Sequence, residues 1–175
     1  MRVLQDPVST PASGIIPTTM NASLRIISDK VERIASGQTD DLLLTLPSGH
    51  VVLNERQPEP ITGCCILLPD PVPSAINDLH EDARRQFFAD MAAIGDALLA
   101  VTGAERINYL VLCNQAPELH AHCIPRFASE DLELRRQGPF EAYDFAQAVP
   151  LDVAGAHREL HSQLRAELQR LVAAS

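Results

Sequence analysis

A chain of 175 residues has the length of one compact domain with some segment to spare, and a core of that size can bury most of its apolar side chains. With 46% hydrophobic and 21% charged residues the composition is that of an ordinary globular protein, which excludes a fibre or a disordered chain. Fourteen basic against 23 acidic residues leave a net charge of −9, which repels a nucleic-acid backbone; a small phosphate ligand, decided by a few local donors, is still allowed.

Residues 1–22 begin MRVLQDPVSTPASGIIPTTM, rich in Pro, Ser and Thr, and are expected to form an extended arm. They show neither a basic start nor a continuous apolar run, and no stretch of the chain is long enough to span a bilayer, so no membrane association and a cytoplasmic location are expected. Cys64, Cys65, Cys113 and Cys123 form no CxxC pair and sit in apolar runs, as buried reduced thiols do.

From Ser23 to Ser36, Leu24, Ile27, Val31 and Ile34 recur at helical spacing and Gly37 follows where a helix stops. Residues 41–46 and 50–55 read as two strands joined by the turn Pro47-Ser48-Gly49. The apolar run 63–69 reads as a strand covered on both faces. Between Asp78 and Val101, Leu79, Phe87, Phe88, Met91, Ile94, Leu98 and Leu99 mark a long helix with acidic residues in its first turns.

Residues 107–113 and 119–127 are strand-like, and the connection between them is too short for a parallel crossover, so they should pair antiparallel. A link over 128–150 carries Phe140, Tyr143 and Phe145, for which packing beneath a loop outweighs stacking on a base, and a leucine-striped helix is expected over 151–174. The order of elements predicts an α+β domain: an antiparallel sheet packed by helices, its core at 23–127, with 128–175 folded onto the same domain.

Chemistry concentrates near residue 120. Because strand side chains alternate, Glu118, His120 and His122 should share one face, with Leu119, Ala121 and Cys123 on the other. A neutral imidazole attacks phosphorus when its other nitrogen is held by an acceptor, which suits His120; His122, Asn114 and Gln115 could donate to the phosphate oxygens. A zinc site using His120, His122 and Glu118 or a cysteine is the metal alternative. His50, His80, His157 and His161 are scattered and take no role.

The run Asn114, Pro117, Leu119, His120, His122, Pro125, Arg126 fits the pattern N-x-x-P-x-L-H-x-H-x-x-P-R and resembles the signature of histidine-triad proteins. With the upstream runs VVLNERQPEP and GCCILLPDPVPSAINDL the resemblance extends over about residues 40–127. It implies a homodimeric α+β fold that binds a small nucleotide. It also implies hydrolysis or transfer of nucleoside phosphates, diadenosine polyphosphates and phosphoramidates among them, through a nucleotidyl-histidine intermediate. His120 would be the nucleophile, His122 the last triad histidine, Asn114 and Gln115 phosphate contacts and Asn54 the ribose contact. No cofactor is implied beyond Mg²⁺ as a counterion of the substrate.

Two positions depart from the pattern: Glu118 replaces the first triad histidine and Cys64 replaces a histidine after the glycine of an earlier strand. The backbone carbonyl of residue 118, by the resemblance, orients the nucleophile. A carboxylate beside phosphate repels it, so Glu118 should be protonated, turned away, or an acid for the leaving group. Arg126 reads either as a further phosphate contact or as a charge closing the strand. The competing class is a regulatory protein that binds a nucleotide without turnover.

Overall fold

The computed structural model describes residues 25–174, so the expected N-terminal arm and the first residues of the expected helix from Ser23 lie outside the described residues. Strands β1 (Leu42–Leu46), β2 (Gly49–Leu53), β4 (Cys65–Pro69), β5 (Arg106–Leu110) and β6 (Ala121–Arg126) form one antiparallel sheet in the order β1-β2-β4-β6-β5. A two-residue strand β3 (Arg56–Gln57) pairs with β7 (Val149–Pro150) in a separate ribbon. The expected α+β class is the observed one.

Alternation along the strands divides the apolar residues between two faces. Val51, Leu67, Ala121 and Cys123 point to the face covered by helices α2 (Glu81–Thr102) and α5 (Arg158–Ala173), where Phe87, Met91, Ile94, Leu98, Leu164 and Leu168 complete the main core. Val52 and Leu68 point the other way, against Ile27, Val31 and Ile34 of α1 (Ile26–Ala35). On that second face, nearer β6, Ile124 packs with Ile61 and Cys64 beneath Tyr143 and Phe145. Burying a leucine- or phenylalanine-sized side chain stabilises by about 1.5–3 kcal/mol, so both faces contribute.

Several boundaries follow local chemistry. Helix α2 ends at Gly103, whose φ of 67° is the left-handed cap that glycine adopts without cost. Asp90, buried in α2, accepts hydrogen bonds from the Ser48 amide (2.8 Å) and hydroxyl and so ties the β1-β2 turn to the helix. Strand β5 stops at Leu110 rather than at residue 113, and Cys113 itself has a φ of 51°.

The last helix begins at Arg158, not near Leu151. The Asp152 carboxylate takes the amides of Gly155 and Ala156, and the Asp152 amide donates to Nδ1 of the buried His157 (3.0 Å), so this stretch closes a turn instead of a helical ladder. Two short helices, α3 (Leu132–Arg135) and α4 (Pro139–Ala142), carry the chain back across the second face.

Candidate active site

The second sheet face carries a cavity of about 760 Å³. Its floor is β6 with His122 and, across the sheet, Ile66 of β4, which is the register partner of His122. Ile26 and Ile27 of α1 form one wall, Phe140, Tyr143 and Phe145 the opposite one, and Cys113, Asn114, Gln115 and Ala116 of the β5-β6 connection the third. Four segments distant in sequence thus converge on one site.

His120 lies just before β6, 7% exposed, with its ring in the cavity. Its Nδ1 lies 2.8 Å from the Glu118 carbonyl oxygen. A carbonyl only accepts, so Nδ1 carries a proton, and in the neutral tautomer this selects, the lone pair is on Nε2. His122 meets His120 edge to face, ring centroids 5.0 Å apart, and meets Phe140 at the same separation. Burial first, and the neighbouring His120 second, lower the His122 pKa to about 4, so its imidazole is neutral at physiological pH.

The expected sharing of faces is half right. Leu119, Ala121 and Cys123 enter the main core while His120 and His122 line the cavity. The Glu118 side chain reaches α1 on that same side of the sheet but does not line the cavity. Its carboxylate accepts from the backbone amides of Ile27 (2.9 Å) and Ser28 (3.2 Å) and from the Ser28 hydroxyl, at the N-terminus of α1. Partial burial pushes this carboxyl up, but those donors and the Arg25 guanidinium together hold it below the ordinary carboxylate range. Of the three expectations for Glu118, the structure selects a side chain turned away and ionised; it is not aimed into the cavity as an acid.

Asn114 and Gln115 line the cavity as expected. Arg126 is corrected. It is 2% exposed and does not line the cavity, with Nε and Nη2 on the Glu130 carboxylate (2.8 Å at the shortest) and Nη1 on Asn108 Oδ1 (2.8 Å) and the Gln137 carbonyl (3.0 Å). Its guanidinium is saturated within the protein, so it offers no donor to a phosphate.

Asn54 is also outside the cavity lining, its amide donating to the Arg56 carbonyl (2.8 Å). The neighbouring Gln57, fully buried, organises this loop: it accepts from the Gly63 and Cys64 amides and donates to the Asn54 and Cys64 carbonyls.

Sequence reasoning missed two sets of lining residues. Ile26 and Ile27 read simply as helix positions, and Phe140, Tyr143 and Phe145 as loop packing; only the fold brings them to the histidines. Tyr143 is held by a hydrogen bond from its hydroxyl to Glu130 Oε2 (2.7 Å). Burial, then the Glu130 hydrogen bond, push its pKa up to about 12. The wall is thereby fastened to the same buried pair that Arg126 makes.

All four cysteines are free thiols. Cys64, Cys65 and Cys123 are buried, and burial pushes each thiol up, whereas Cys113 is half-buried at the cavity. Among the described residues no three His, Cys, Asp or Glu side chains converge as a metal site, the Glu118 carboxylate and Cys123 being turned away from the histidines. Among the same residues no helix is long and apolar enough to cross a membrane.

The antiparallel sheet order and the helices across one face give the chain the fold of solved histidine triad proteins. No family model and no curated protein sequence matches the chain. Solved structures do. A histidine triad protein from Bradyrhizobium japonicum superposes with a TM-score of 0.60 at 22% identity, over 78% of this chain and 94% of that one. A zinc-bound histidine triad family protein from Mycobacterium smegmatis gives 0.60 at 18% identity, over 87% and 98%. A hypothetical histidine triad nucleotide-binding protein from Sulfolobus tokodaii gives 0.60 at 12% identity, over 81% and 91%. At these identities the likeness establishes the fold.

Proposed function

We propose that the protein is a nucleotidyl hydrolase or transferase in which His120 Nε2 attacks the phosphorus of a nucleoside phosphate. The P–Nε2 bond forms as the bond to the leaving group breaks, the leaving group departs with the electron pair and takes up a proton, and water or another acceptor then displaces the histidine. Neutral His122 and the amides of Asn114 and Gln115 donate to the non-bridging oxygens. The observation that carries this reading is the 2.8 Å contact from His120 Nδ1 to the Glu118 carbonyl, which selects the neutral tautomer with its lone pair on Nε2, on a ring that lines the cavity.

Support comes also from the lining. Among the described residues its nitrogen donors are imidazoles and amides, with no lysine or arginine, which suits contact with one phosphate group at a time. The Sulfolobus tokodaii protein is named as nucleotide-binding, in agreement with a mononucleotide ligand. The proposed chemistry needs Mg²⁺ only as a counterion of the substrate. A homodimer is proposed from the resemblance, with the outer edge of β5, paired on one side only, available as a contact; light scattering at micromolar concentration tests it.

The deciding experiment incubates the protein and a His120→Ala variant with diadenosine tetraphosphate and with an adenosine phosphoramidate, followed by product chromatography and intact mass. Turnover that disappears in the variant, with a nucleotidyl adduct on the parent protein, is the expected result. Binding of a mononucleotide without turnover or adduct would make the protein a nucleotide binder and overturn the enzymatic reading.

A further inference from the structure

The first triad position acts twice in this chain. Its carbonyl holds His120, while its carboxylate reaches a helix some 90 residues earlier in the sequence. Helix α1 starts at Arg25, whose side chain supplies no capping hydrogen bond. The first turn of a helix leaves its amides unsatisfied. Glu118 takes two of them, at Ile27 and Ser28, and the Ser28 hydroxyl besides, so an acceptor from the catalytic segment replaces the usual local cap.

The helix so held is part of the site. Ile26 and Ile27, its first two residues, line the cavity, and Ile27, Val31 and Ile34 rest on Val52 and Leu68. That apolar contact is small beside the main core, and Ile26 remains 54% exposed. The end of α1 facing the cavity is thus tied to the segment before β6 by three hydrogen bonds to Glu118, while buried Ile27 and the Lys30–Asp41 ion pair hold the helix to the sheet.

We propose that Glu118 is a positioning residue for substrate binding: its side chain seats the start of α1 as a wall of the nucleotide cavity, while its backbone alone serves His120. This rests on the nucleotide-binding reading of the cavity. Releasing the helix lowers the fraction of molecules with a complete wall, and apparent affinity falls by that fraction. The chemical step, which depends on the backbone carbonyl, is largely spared.

The test compares the parent protein with Glu118→Ala, Glu118→His and Ser28→Ala. Amide hydrogen exchange over residues 26–35 is measured without ligand, together with the Kd for AMP and, where turnover is found, kcat and KM. In Glu118→Ala the first-turn amides should exchange at least tenfold faster, and Kd and KM should rise about tenfold with kcat changed no more than about threefold. Ser28→Ala, which keeps the backbone donors and perturbs the fold least, should show the same changes in smaller measure. Glu118→His, although it restores the usual triad residue, should resemble Glu118→Ala.

Unchanged exchange in Glu118→Ala, or faster exchange with unchanged Kd, would overturn the proposal, as would a loss confined to kcat. A parent protein that binds no AMP would instead defeat the nucleotide reading, and the exchange data would then show on their own whether Glu118 holds the helix.

Discussion

The imidazoles of His120 and His122 stand edge to face, centroids 5.0 Å apart at an interplanar angle of 80°, on the face of the sheet opposite the main core. Their proximity and the burial of His122 set a definite protonation pattern. His122, at about 4, stays neutral down to mildly acidic pH and keeps one N–H for donation.

An NMR titration of the His122 ring should therefore show a midpoint well below the ordinary histidine value of about 6.5. In Phe140→Ala, where the ring packed on His122 is removed and water enters, the midpoint should move up. The stability consequence has a fixed sign. With the folded value depressed, the unfolded chain binds the extra proton first, so this contribution is whole above about pH 6.5 and is lost as pH falls toward about 4. Urea midpoints across that window check it; a ring titrating near 6.5 in the parent protein would contradict the burial argument.

The buried Arg126–Glu130 pair predicts a different kind of loss. Both side chains are essentially inaccessible, 3% and 0% exposed, and the carboxylate also accepts from Tyr143 and from the Phe127 amide. Arg126→Met leaves Glu130 buried without its cation and should cost about 3–5 kcal/mol, read from denaturant unfolding. Arg126→Lys should recover little, since a single ammonium cannot span the carboxylate, Asn108 Oδ1 and the Gln137 and Leu134 carbonyls at once. A phosphate-contact role would instead give variants of normal stability and poor binding.

Gly49 and Gly95 separate backbone from side-chain constraint. Gly49 has a φ of 149°, and a Cβ there would lie 2.1 Å from the Leu68 carbonyl oxygen and 2.6 Å from the Pro69 Cα, atoms of the paired strand that cannot yield. Gly49→Ala should cost about 3 kcal/mol or more. At Gly95 the clash, 1.8 Å, is with the hydroxyl of Tyr109, the far end of a side chain that is 45% exposed and free to swing out. Gly95→Ala should be the milder of the two in thermal unfolding.

How far the sequence could be read depended on the range of the interaction. Strand β6 and the split of Leu119, Ala121 and Cys123 from His120 and His122 follow from two-residue alternation, and α2 from its apolar spacing, so these were legible. The early end of β5 at Leu110 and the late start of α5 at Arg158 turn on one backbone angle at Cys113 and on one carboxylate at Asp152, and no period encodes either. The sequence left Glu118 and Arg126 open between alternatives for a common reason. Their chemistry marks them as charged groups near a phosphate site, but their partners, the α1 amides and Glu130, become neighbours only in the folded chain.

The cavity is walled by residues 26–27 before the histidines and by residues 140–146 after them. During synthesis from the N-terminus, His120 and the α1 wall leave the ribosome before the aromatic wall does. A nascent chain ending at His122 would hold the His120 and His122 imidazoles open to water, without Phe140 on His122 and without the Glu130 anchor for Tyr143. The order of segments along the chain thus postpones a closed cavity until some twenty residues beyond His122 have been made, and a break in the α3–α4 stretch of the protein should undo it in the same way.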